Sequence, residues 1–287
     1  MSIGSLDMDN AFLKKLQRII LEAFAKKTNF YRIKALSHGI KKKDIEKLDK
    51  EVFQTFPITT LQELADTPYR QRSLQEKPGL NKLVFSEGAT RYFLIHRTLE
   101  EIRKDALPLD GTRPLVLMQD VYEAIERCLF FYAHHVLPLI GEVLNPSVVY
   151  AAAQQYRIDS LYIDHDSITN FREGILKLNL PLKAVTVIDS SFTDSDLKWP
   201  KGIKIHYIIS LPEFGRVAYA CPESVARKKL VCHPYGDTFI EPAKQAILTS
   251  VRLRSCSMIR YQSKLTFKAV ESQCSCEEQY SFVYIQS

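Results

Sequence analysis

Between residues 10 and 24 the apolar positions Phe12, Leu13, Leu16, Ile19, Ile20, Ala23 and Phe24 recur every three to four residues, with Lys and Arg between them. That period predicts an amphipathic helix with one buried face. A second helical pattern covers 44–53. Pro57 interrupts it, and Thr59 or Thr60 is placed to cap a short helix reaching Glu63 and Leu64. The first 75 residues therefore read as helical. After Pro78 the pattern changes. Apolar runs at 82–85, 114–118, 160–163, 182–188 and 203–210 read as strands, and helical patterns cover 98–104, 121–139, 151–156 and 168–178. Strands alternating with helices imply βαβ units and a sheet covered on both faces. From Val217 onward strand-like segments dominate, at 239–240, 246–251, 257–261 and 281–285. The expected class is α/β. A helical part spans 1–80, and one continuous α/β core with a β-rich tail spans 81–287.

Composition narrows this only slightly. With 287 residues, 46% of them apolar and 25% charged, there is ample material for a buried core. No apolar run reaches the ~18–20 residues of a membrane-spanning helix; the richest, 128–140, is broken by His134, His135 and Pro138. The polar, acidic start lacks a basic stretch followed by an apolar block, so a cytoplasmic protein is expected. The formal charge is +6, but the basic clusters Lys41-Lys42-Lys43 and Arg227-Lys228-Lys229 are short and carry no interleaved aromatic residues. They read as solvated surface rather than a nucleic-acid groove, and the mild excess suits an anionic small molecule. Only ten glycines are present, which weighs against a glycine-rich phosphate loop. Five of the six cysteines lie at or beyond Cys221, a clustering that points to metal rather than to disulfides.

The segments Asn29-Phe30-Tyr31-Arg32, His38-Gly39-Ile40, Asp44-Ile45, Phe56-Pro57-Ile58-Thr59 and 61–64 occur in an order that resembles the N-terminal part of phenylacetate–coenzyme A ligases. The likeness to these members of the adenylate-forming superfamily continues collinearly over nearly the whole chain. Such enzymes use ATP to convert a carboxylate to an acyl-adenylate and then pass the acyl group to a thiol. The resemblance implies their large-domain fold and four sites. Their Ser/Thr/Gly-rich phosphate loop falls on 86–93, where Ser86, Gly88 and Thr90 survive, while Arg91 replaces a glycine and Glu87 opposes a phosphate. Their Tyr-Gly-x-Thr-Glu segment falls on 209–213, leaving Glu213 as the magnesium-holding carboxylate, with Pro212 in place of a hydroxyl. Their Arg-Tyr-x-Thr-Gly-Asp segment retains Arg260 and Tyr261. Lys264 stands near the ribose-binding Asp, and a lysine has no acceptor to offer. Cys221, His233, Cys274 and Cys276 match a structural zinc set in some relatives, with Cys232 an alternative to His233.

The resemblance also implies that the relatives' small, lysine-bearing C-terminal domain is absent, so that a protein partner would have to supply such a lid. Ser167 matches a position near the acyl pocket, whereas adjacent His165, Asp166 and Ser167 cannot form a through-space triad. Two functions follow as expectations. One is a catalytically impaired adenylate-forming scaffold, a pseudoenzyme that binds a small carboxylate, a nucleotide (ATP or AMP, with Mg) or a protein. The alternative is an active, AMP-forming carboxylate ligase.

Overall fold

The computed structural model describes residues 8–75, 77–84, 93–105, 107–141, 143–190, 199–221, 231–269 and 282–285. The chain forms two compact units, one of Met1–Thr98 with His233–Ile285, the other Leu99–Cys232. Among the described residues no helix is long and apolar enough to cross a membrane.

The first unit opens with α1 (Asn10–Ala25), which Asp9 caps by accepting the Phe12 N–H at 3.0 Å. It buries Phe12, Leu16, Ile19, Ile20, Ala23 and Phe24, the stripe its sequence period predicts. Helix α2 (Phe30–Ser37) starts on the Asn29 cap. The single helix expected at 44–53 is two, α3 (Lys42–Ile45) and α4 (Lys50–Thr55), because the Asp49 side chain accepts the Val52 N–H at 2.8 Å and begins a new turn. For α5 (Leu61–Asp66) the cap is Thr60, in a reciprocal capping box with Glu63. Helix α6 (Tyr69–Arg72) leads to the antiparallel pair β1 (Gly79–Val84) and β2 (Phe93–Thr98).

The second unit is a βα sandwich in chain order: α7 (Leu99–Arg103), β3 (Pro114–Leu117), α8 (Val121–Ala133), β4 (Leu139–Ile140), α9 (Pro146–Tyr156), β5 (Ser160–Ile163), α10 (His165–Lys177), β6 (Ala184–Asp189), β7 (Lys204–Leu211) and β8 (Gly215–Ala220). The boundary between the units falls within β9 (Val231–Pro234). Spatial order is β9-β8-β7-β6-β5-β3-β4; β4, β3, β5, β6 and β7 run parallel and β8 antiparallel. Every residue of β3 and β5 is buried, as expected of parallel strands covered on both faces. Helix α8 stops six residues short of the expected 139. His134 takes the C-cap, His135 adopts a left-handed φ of 59°, and the chain then turns into the edge strand β4.

The first unit resumes with the antiparallel strands β10 (Thr238–Glu241), β11 (Ile247–Ser250) and β12 (Met258–Gln262), then the pair β13 (Thr266–Ala269) and β14 (Phe282–Ile285). Its core joins α1 to Phe53, Phe56 and Leu74 and to Ile259 from β12, with Phe239 packed against it. This unit is therefore built from segments more than 130 residues apart in the chain.

Candidate functional site

In the second unit the chain passes from β3 to β4 on one side and then returns past β3 to β5, β6 and β7 on the other. The order reverses between β3 and β5. In open parallel sheets a crevice forms outside the carboxyl ends of the strands at such a reversal, because successive connections leave in opposite directions there. A pocket of about 130 Å³ occupies this place, lined by Met118, Asp120 and Glu123 after β3, Asp164 after β5, Ile188, Asp189 and Ser190 at the end of β6, and Ser210 and Pro212 at the end of β7.

Each carboxylate is set by the backbone around it. Asp120 caps α8, accepting the Tyr122 N–H at 2.7 Å and the Glu123 N–H at 3.2 Å. Asp164 caps α10 through the Ser167 N–H at 2.8 Å, and its other oxygen accepts the Gln119 N–H at 2.6 Å, which ties the β5 loop to the β3 loop across the reversal. Asp189 accepts the His165 N–H at 3.0 Å and the Ser190 N–H at 2.5 Å. Burial pushes the Asp164 carboxyl above its ordinary range and Asp189 adds to the rise, while hydrogen bonds from Ser167 and Gln119 oppose it. Glu123 is held by Arg127 at 2.8 Å, and Arg127 and Arg216 both face the buried Asp105. The Ser210 hydroxyl is buried and finds no hydrogen-bond partner among the described residues. Among the described residues no Lys, Arg or His lines the pocket.

The residues singled out from the sequence are distributed as follows. Glu213 is buried in the turn between β7 and β8, one residue beyond the pocket-lining Pro212. Ser86, Gly88, Thr90 and Arg91 lie outside the described residues, as do Cys274 and Cys276. Arg260 and Tyr261 are on β12 in the first unit. The Arg260 guanidinium grips both Glu241 oxygens, at 3.0 and 2.9 Å, and donates to the carbonyls of Phe56, at 2.6 Å, and Gln54. Its main chain continues the clamp: the Thr59 N–H donates to the Arg260 carbonyl and the Gln262 N–H to the Thr59 carbonyl, both at 2.8 Å. Tyr261 is buried beside this bridge. Four guanidinium bonds thus join β12 to the segment after α4 and to β10. Lys264 lines a separate, open surface pocket with Lys244 and Gln245.

For zinc, Cys221 and Cys232 are buried in the second unit, and the Cys221 N–H donates to the Val231 carbonyl at 2.7 Å. His233 is buried and belongs to the first unit. Burial and the neighbouring Cys221 push the Cys232 thiol above its usual range. Among the described residues no group of three or more His, Cys, Asp or Glu is arranged to hold a metal ion. Cys274 and Cys276, half of the expected zinc set, lie outside the described residues.

Sequence reasoning passed over Asp120, Glu123, Asp164, Asp189 and Ser210. Two of them carry a local signal, an Asp closing a strand-like run and opening a helical one, but that signal reads equally as a helix cap. Only the strand order brings them together.

No family model matches the sequence, and no curated protein does. Solved structures do. A 2-hydroxyisobutyryl-CoA ligase in an open conformation, bound to 2-HIB-AMP and CoA, is 14% identical and superposes with a TM-score of 0.67 over 96% of this chain and 73% of that one. The same ligase in its postadenylation state with R3-HIB-AMP gives 0.63 at 13% identity, over 95% of this chain and 65% of that one. The inhibitor-bound N-terminal domain of FACL13 from Mycobacterium tuberculosis gives 0.56 at 10% identity, over 74% and 62%. The chain thus spans about two thirds of the length of the ligases it resembles, and it has the mixed α/β fold of adenylate-forming enzyme domains.

Proposed function

We infer that this chain is a phenylacetate–CoA-ligase-like, adenylate-forming scaffold that keeps a small-molecule pocket and does not form adenylates by itself. The observation that carries the reading is the lining of the pocket at the β3/β5 reversal: among the described residues it has four acidic side chains and no basic one. Adenylation places a carboxylate and a phosphoryl group together, so its transition state gathers negative charge and needs positive groups or N–H donors facing it. Here backbone N–H groups are spent on Asp120, Asp164 and Asp189, and the nearby guanidiniums of Arg127 and Arg216 are turned toward Asp105. Arg260 supports the same reading, because its donors are committed to Glu241 and to main-chain carbonyls rather than directed at a nucleotide.

Pyrophosphate exchange with pooled carboxylic acids, ATP and Mg tests this. The expected result is exchange no faster than that of Glu213→Gln. Carboxylate-dependent exchange at least tenfold above that variant overturns the reading and establishes the active-ligase alternative. Calorimetry with AMP, together with a panel of small carboxylates, reports whether the pocket retains a ligand.

A further inference from the structure

The six most exposed large apolar side chains among the described residues all fall within 121–148: Leu144 (85% exposed), Tyr132 (71%), Leu137 (67%), Val121 (60%), Ile140 (56%) and Val148 (56%). They follow one strip of the second unit, from α8 through the edge strand β4 to the start of α9. On α8, Val121 and Tyr132 fall about 20° apart at 100° per residue, so the helix carries an apolar stripe toward solvent. Its other side buries Glu126 and Arg127 along with Phe130 and Phe131. The Tyr156 hydroxyl donates to the Leu137 carbonyl at 2.9 Å, which draws the end of α9 to the start of β4. A Cβ on Gly141 would collide with Leu117 and fall 3.3 Å from Val149, so α9 also lies close to the end of β4.

We propose that this strip is a two-fold contact with a second copy of the chain, centred on β4. Three observations select that occupant. First, among the described residues β4 is the last strand of its sheet, so one of its edges is left for another strand; the same strand of a two-fold-related copy runs antiparallel to it and pairs with it. Second, residues 132–156 include a single Asp, Glu, Lys or Arg, namely Glu142, in a chain that is 25% charged. Two copies of a basic protein meet here with only Glu142 of each to repel the other. A membrane surface would be favoured by Lys and Arg flanking the apolar residues, and this stretch has none. Third, the six side chains leave roughly 600–700 Å² of apolar surface in water, above the usual largest patch on a monomer and close to the ~800 Å² per partner that a stable association buries.

The test is sedimentation velocity of the full chain between about 1 and 100 μM. The expected species is twice the 33.0 kDa chain mass. Leu137→Glu and Leu144→Glu, both at solvent-exposed positions, weaken association at least tenfold with unchanged circular dichroism, whereas Ile33→Glu, exposed in the first unit, leaves it unchanged. Mixing the Leu137→Glu and Leu137→Lys proteins restores association, a result that only a contact bringing the two strips together produces. A monomer at 100 μM, or a dimer indifferent to both strip substitutions, overturns the proposal. So does a monomer that binds neutral phosphatidylcholine vesicles through Leu144, since that outcome assigns the strip to a lipid surface.

Discussion

The four-residue strand β5 has an aspartate immediately before it and another immediately after, and the two behave in opposite ways. Asp159, at the amino end, accepts the Arg113 N–H at 2.8 Å, the Thr112 N–H at 3.1 Å and the Lys183 ammonium at 3.2 Å. Burial alone would raise its carboxyl, but these donors outweigh burial and hold it below the ordinary range. Asp164, at the carboxyl end, is raised by burial and by Asp189, and it faces the pocket. The same contrast runs across the sheet. At the amino ends Asp110 is paired with Lys204 at 2.9 Å and His206 at 2.6 Å and is likewise lowered, although burial opposes it. At the carboxyl ends the acids collect around a cavity whose lining, among the described residues, holds no cation. One end of the sheet uses charge to hold the fold; at the other, Asp164 keeps its carboxylate against burial, which is a mark of a site rather than of a scaffold.

The largest effect expected from breaking this contrast is at the amino end. Asp159→Ala strands two backbone N–H groups and one ammonium, and urea unfolding at pH 7 should show a loss of about 2–3 kcal/mol. Asp164→Asn keeps the helix cap, but its amide NH2 replaces the oxygen that accepts the Gln119 N–H, so stability at pH 7 should fall by about 1 kcal/mol. A loss there as large as at Asp159 would make the two ends equally structural and remove the argument for a site. Stability measured against pH sharpens the comparison through its sign. Asp159 has a depressed value in the folded state, so its contribution is present above the ordinary carboxylate value of about 3.9 and is lost as pH falls through the depressed one. Asp164 has a raised value, so its contribution is present below about 3.9 and is lost as pH rises through the raised one. The gap between wild type and Asp159→Asn should therefore close in acid, while Asp164→Asn gains on wild type as pH rises from 4. The smallest effect is at Asp110→Asn, about 0.5 kcal/mol, since Lys204 is largely exposed and solvent screens the pair.

Much of this architecture is legible in the chain. The α1 stripe, the Thr60–Glu63 box and the fully apolar run of β5 follow from period and composition alone, because each depends on neighbours in sequence. The misplacements have local causes that the periodicity does not register. Asp49 restarts a helix inside 44–53, and His135 in a left-handed conformation ends α8 before the apolar pattern ends. Strands β2 and β13 carry Arg97 and Lys268 within short runs and do not read as strands until their antiparallel partners are known. The pocket was hidden for a different reason. Asp120 and Asp164 are 44 positions apart and meet because β3 and β5 are neighbours, a long-range pairing that no window along the sequence contains. Arg260 was visible as a match to a family segment, yet its partners, Glu241, Gln54 and Phe56, emerge only from the fold.

That clamp constrains the timing of synthesis. The helical segment ending near Phe56 needs Arg260, roughly 200 residues later, before its last carbonyls are satisfied. At the ribosome's pace of ~5–20 residues per second this is a wait of about 10–40 s. The middle stretch, Leu99–Cys232, is continuous in the chain and has all its parallel strands in hand well before then. The bonds from Arg260 to Gln54 and Phe56 therefore close only after every parallel strand of the middle stretch has been synthesised.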